Sequence, residues 1–228
     1  MTYVTSNLHG DYEGFLKLLD VIQFKSSDTM YILGDIVDYG EGGIDIINDI
    51  SMRYNVFCVA GEHDLTALRM LSGFSRMLSS GETPSAEFIS DMTSWSADGG
   101  AVTLAAFREL DSDGREGVID YLSDMALYED IKVGSERYLL LHAGIANFTP
   151  DIDLDTLEPN DLFSEALDLT RRYYDDRTII VGHNPTTAEN GGDDRIYYGN
   201  GSIDVDCGSG RGGRIGCLCL ENKKEFYI

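Results

Sequence analysis

The chain has 228 residues, with 17 Lys and Arg against 40 Asp and Glu, and a formal charge of −23. A field of that sign repels nucleic-acid phosphate and anionic lipid, so neither is expected as a partner. Hydrophobic residues make up 43% of the chain, a folded composition whose length suits one domain over 1–228.

Residues 2–6 alternate as a strand. From Tyr12 to Phe24 the apolar positions Phe15, Leu18, Leu19 and Ile22 follow helical spacing. Thr29–Leu33 reads as a buried strand, 43–53 as a helix through Ile44, Ile47 and Ile50, and Asn55–Ala60 as a third strand. A helix with Leu65, Leu68, Met70 and Leu71 follows. This β-α-β-α-β-α order predicts an α/β fold with a mostly parallel sheet. Residues 75–127 change character: a loop around Gly81 and Pro84, then helices near 85–95, 101–109 and 114–126, read as a helical insertion. Asp111-Ser-Asp-Gly114 resembles the start of a calcium loop, but its glycine is misplaced and no closing glutamate follows, so it reads as a turn. Tyr128–Val133 and Arg137–His142 flank Gly134-Ser135 as a hairpin. A helix near 161–174 is expected before the strand Thr178–Val181, and Ile196–Tyr198, Ser202–Val205, Arg214–Leu220 and Glu225–Ile228 complete the strands. No apolar run reaches the roughly 20 residues of a membrane helix, and no basic leader precedes the first strand. The four cysteines, Cys58, Cys207, Cys217 and Cys219, form no CxxC pair and read as buried thiols, with Cys217 and Cys219 on one strand face. These points lead us to expect a cytoplasmic protein.

All four histidines, His9, His63, His142 and His183, fall at or just past a predicted strand end, in short polar or glycine-bearing turns. Asp35 and Asp38 stand after the second strand. Ligands of open α/β sheets bind beyond the carboxyl ends of strands, so these residues are predicted to share one rim. Imidazole with carboxylate is a donor set for Zn, Fe or Mn.

The turns, in order, are Ser6-Asn-Leu-His-Gly10, Gly34-Asp-Ile-Val-Asp-Tyr-Gly40, Gly61-Glu-His-Asp64, His142-Ala-Gly144 and Gly182-His-Asn-Pro185. Asn7 and Asp35 are 28 residues apart, as are Asp35 and His63. Together they resemble the calcineurin-like metallophosphoesterases, and within them the bacterial serine/threonine protein phosphatases of the PPP family. The resemblance implies a four-layer α/β/β/α sandwich with two central sheets. It implies one or two divalent metals, one at Asn7, His9 and Asp35 and the other at Asp35, Glu62, His142 and His183. A metal-bound hydroxide is then the nucleophile, His63 the general acid, and Asp38 the residue that orients it. The implied substrate is a phosphorylated protein or a small phosphoester.

Three positions depart from the family pattern. Asn7 replaces a metal-binding Asp, Glu62 a metal-binding Asn, and Tyr39 an Arg that clamps substrate phosphate. The first two exchanges leave the formal charge unchanged but move a carboxylate between the metals, so the metal near Asn7 is expected to be the weaker. Exchanging the Arg fork for the Tyr39 hydroxyl is expected to cost about 2–4 kcal/mol, roughly 30- to 1000-fold in rate. Arg171 or Arg172, on the helix expected before Thr178, are candidates to supply the missing charge. Competing readings are an impaired pseudophosphatase acting by binding, and a hydrolase of dinucleoside polyphosphates.

Overall fold

The computed structural model describes residues 1–81 and 83–228. Glu82, within the loop expected around Gly81 and Pro84, lies outside the described residues. The first half runs β1 (Thr2–Thr5), α1 (Tyr12–Val21), β2 (Thr29–Leu33), α2 (Gly43–Ser51), β3 (Val56–Val59) and α3 (Glu62–Ser80). Helices α4 (Ala86–Trp95), α5 (Ala101–Glu109) and α6 (Ser112–Ser123) follow, then β4 (Tyr128–Val133), β5 (Glu136–Leu141), α7 (Pro159–Phe163), β6 (Thr178–Val181), β7 (Tyr197–Tyr198), β8 (Ser202–Asp204), β9 (Gly216–Cys219) and β10 (Glu225–Tyr227). The Asp111 turn caps α6, its carboxylate accepting the Gly114 N–H at 2.8 Å.

Two five-stranded mixed sheets, ordered β10-β9-β1-β2-β3 and β4-β5-β6-β8-β7, stack face to face. Strand alternation explains the layers. Met30 and Ile32 of β2 join the core under helices α1–α6, whereas Leu33, the residue after Ile32, joins Val4, Val59, Tyr138, Leu140 and Ile180 between the sheets. Leu139, Leu141, Ile179 and Val181 face the outer side of the second sheet, covered by Leu162, Leu167, Leu169 and Tyr174. Cys217 and Cys219 both face the helical layer, and all four cysteines are free and buried. Among the described residues, no helix is long and apolar enough to cross a membrane.

One expected element is much shorter. The helix predicted near 161–174 stops at Phe163. The carbonyls of Asp161 and Leu162, which a longer helix needs as acceptors, instead take the N–H groups of Ala146 and Gly144 at 2.7 and 3.1 Å. Farther on, the Asp168 carboxylate accepts both the N–H and hydroxyl of Thr170, closing a turn. Arg171 and Arg172 therefore sit in irregular chain.

Candidate metal centre

Strands β1, β2 and β3 are mutually parallel, and so are β5, β6 and β8. Their carboxyl ends meet at one rim. Beyond the strands the first two loops keep pairing: Asn7, His9 and Gly10 donate backbone N–H to the carbonyls of Gly34, Asp35 and Ile36 at 2.9–3.0 Å. Asp64, fully buried in the first turn of α3, accepts the N–H groups of Asp35, Ile36 and Gly61 at 2.7, 3.0 and 3.0 Å. Burial, helped by the Asp35 charge, pushes its carboxyl up to about 7. Gly34 has φ +74, and a Cβ there would lie 2.6 Å from both His142 Nδ1 and the Gly61 nitrogen.

Backbone strain concentrates at this rim. Among the described residues, six of the nine non-glycine residues with positive φ are Asn7, His9, Asp35, Asp38, Tyr39 and His183. Each such conformation costs about 1 kcal/mol or more, and it persists only where the surroundings enforce it.

Asp35, His142 and His183 offer donor atoms that all lie within 4.8 Å of one another. His142 Nδ1 donates to the Leu33 carbonyl at 2.8 Å, which turns Nε2 toward Asp35 Oδ2 at 3.4 Å and His183 Nδ1 at 3.1 Å. Donors about 3.3 Å apart are what a tetrahedral ion with bonds near 2.05 Å requires. His9 Nδ1 donates to the Val37 carbonyl at 3.1 Å, leaving a buried Nε2 with no hydrogen-bond partner, 3.9 Å from the same Asp35 Oδ2. An orphaned buried imidazole nitrogen beside a shared carboxylate oxygen fits a divalent cation. Burial lowers His142, but the Asp35 charge outweighs it and holds the imidazole up at about 9. Burial likewise raises Asp35, yet His142 and His9 hold it well below the usual carboxylate range. Burial pushes His9 and His183 down, leaving their lone pairs available.

The other expected residues fall in graded positions. Glu62 Oε1 stands 4.0 Å from His183 Nδ1, its side chain 47% exposed, at the outer edge of the cluster. Asn7 Oδ1 accepts the His183 backbone N–H at 3.1 Å and so ties the rims of the two sheets together. His63 Nδ1 bonds Asp38 Oδ2 at 2.9 Å. Asp38 is wholly buried, and Trp95 Nε1 and the Thr103 hydroxyl also donate to it at 2.8 and 2.7 Å. Burial depresses the His63 pKa, but the Asp38 hydrogen bond and nearby carboxylates raise it to about 9. The Tyr39 ring lies 4.9 Å from that of His9 and 5.2 Å from that of His63, its hydroxyl donating to Asp98 at 3.0 Å.

Arg172 is a correction. It pairs with Asp175 at 3.4 Å and packs on Gly201, which precedes β8, at the end of the sheet opposite the histidines. Arg171 lies over Phe148 and Tyr173. Neither meets the site, because the helix that was to carry them is not formed. Sequence reasoning missed Trp95, Thr103 and Arg211. Nothing in their local sequence marks them, since they arrive from distant elements.

A family model described as calcineurin-like phosphoesterase matches residues 2–207. The chain is 35% identical over 77 residues to the symmetrical bis(5'-nucleosyl)-tetraphosphatase of Salmonella typhimurium, a match covering 33% of this chain and 27% of that protein. The chain thus matches about a quarter of the length of its curated relatives. A solved structure provisionally described as a diadenosine tetraphosphatase superposes with a TM-score of 0.69 at 17% identity, covering 100% of this chain and 92% of the other. A protein serine/threonine phosphatase from Saccharomyces cerevisiae gives 0.54 at 12% identity, with 100% and 78% covered. At such identities the likeness is one of fold.

Proposed function

The chain belongs to the calcineurin-like phosphoesterase family, and from that premise we propose that it is a metal-dependent hydrolase of phosphomonoesters, in the manner of a serine/threonine protein phosphatase. The observation that carries this reading is the buried His63–Asp38 pair beside the Asp35, His142 and His183 donors. An imidazole oriented by a buried carboxylate beside a metal donor set suits proton transfer to a leaving group.

Asp35, His142 and His183 would hold one ion tightly, with Glu62 at its exposed edge. His9 and Asp35 would hold a second more weakly, because the Asn7 oxygen is shared with the His183 N–H. A bound divalent ion supplies Lewis acidity toward phosphoryl oxygens and acidifies water for attack. The chain's own residues do the remainder. His63, its pKa raised by the Asp38 hydrogen bond, gives its Nε2 proton to the leaving oxygen. Asp38 fixes the ring through Nδ1 and is itself fixed by Trp95 and Thr103.

The Salmonella relative favours a second reading, hydrolysis of dinucleoside polyphosphates. One experiment tests both: turnover of an aryl phosphate, a phosphothreonine peptide and diadenosine tetraphosphate with Mn²⁺. We expect His63→Asn to lower kcat about 10²- to 10⁴-fold with metal content unchanged. No turnover of any of the three by the native chain would leave a non-catalytic binding protein in its place, and full activity in His63→Asn would remove His63 as the general acid.

A further inference from the structure

We propose that Arg211 is the phosphate clamp of this site, taking over from Tyr39 the charge that the chain lacks there; this rests on the phosphoester reading above. Its guanidinium carbon lies 5.5 Å from the centroid of the Tyr39 ring. That ring is one corner of a triangle with His9 and His63, whose own centroids are 5.1 Å apart. Tyr39 thus holds an arginine where it does not supply one. A guanidinium held against the Tyr39 ring keeps further N–H groups for an oxyanion.

The segment that carries Arg211 is built to put it there. Asp206 Oδ1 accepts the Gly208 N–H at 2.8 Å, and the Gly208 carbonyl accepts from Arg211 and Gly213 at 3.0 and 2.9 Å. Gly210 has φ +75, and a Cβ there would lie 2.3 Å from the Cβ of His9. The loop is therefore pressed onto the His9 turn rather than waving over it. Next to it, Ser209 Oγ is buried without a hydrogen-bond partner. Among the described residues no carboxylate lies within ion-pair distance of Arg211, whereas Arg69, Arg172, Arg177 and Arg214 all have one. In a chain of net charge −23, an arginine exposed at the rim and unpaired with any acid is positioned to receive an anion.

The test uses the full chain with Mn²⁺ and inorganic phosphate as the probe. Phosphate binding is followed by calorimetry, and aryl phosphate turnover in parallel. Arg211→Ala should weaken phosphate binding and raise KM by about 10- to 100-fold, with an unchanged melting temperature because the side chain is exposed. Arg211→Lys, which keeps the charge but loses the fork, should recover part of the affinity. Adding Tyr39→Arg to Arg211→Ala places a guanidinium at position 39 itself and should restore phosphate binding. Phosphate affinity and KM within twofold of native in Arg211→Ala would overturn the clamp while leaving the hydrolase reading intact. Arg211-dependent phosphate binding in a chain that turns over no ester would do the reverse.

Discussion

At the scale of single residues, the site depends on how Asp38 is held. Three donors converge on a carboxylate with no exposed surface, so its charge is compensated by hydrogen bonds and not by water. Trp95→Phe keeps an aromatic, though smaller, side chain and removes one donor. We expect it to lower the melting temperature, with a cost of about 1–3 kcal/mol for the lost hydrogen bond to a buried carboxylate. It should also lower kcat more than it raises KM, since the group it loosens orients the proposed acid and does not hold substrate. A kcat equal to native in Trp95→Phe would show that His63 is fixed without it. The histidines and Asp35 were legible in the sequence because each follows a strand in a short turn. Trp95 and Thr103 were not. They come from α4 and α5, and a helical residue 57 or 65 positions away along the chain gives no local sign that it meets Asp38.

At the scale of elements, the strands, the three insertion helices and the hairpin follow their hydrophobic periods, and the sequence foretold them closely. The failure at 161–174 is instructive. Asn160 through Leu169 has acceptable helix formers, but propensity is weak beside tertiary demand. The turn after His142 needs acceptors for its own N–H groups and takes them from α7. Arg172 was lost as a candidate for the same reason, and Arg211 was overlooked because a glycine-rich segment has no period to read. The Gly208–Gly213 loop can be tested directly. Gly210→Ala places a methyl group against His9 at a left-handed φ, so we expect a lower melting temperature and a marked loss of Mn²⁺ affinity, measured by calorimetry. Native affinity in that variant would mean that the loop and the His9 turn move independently.

At the scale of the whole molecule, self-repulsion of the acidic surface and five buried groups with raised pKa values push stability down as pH rises, against the opposite pull of His9 and His183. Asp64, Asp204 and Asp206 have raised carboxyl pKa values, to about 7 for the first and about 6 for the last, chiefly through burial. His63 and His142 are raised to about 9, their carboxylate partners overcoming the cost of burial. In every case the folded chain holds its proton more tightly than the unfolded one. The stabilisation is complete below the unfolded values, near 4 for Asp and 6.5 for His, and is lost as pH rises through the folded ones. The metal-free chain should therefore melt at a lower temperature at pH 9 than at pH 5.5, and self-repulsion adds to the trend. Calorimetry that found an unchanged or higher melting temperature at pH 9 would contradict these assignments. The order of the first sheet has a consequence for assembly. One of the two neighbours of its central strand β1 is β9, which sets Tyr3 opposite Cys219. Until β9 is in place, that side of β1 is an open, apolar strand edge. Contacts of such long sequence separation slow folding and leave that edge available to other chains until it is covered.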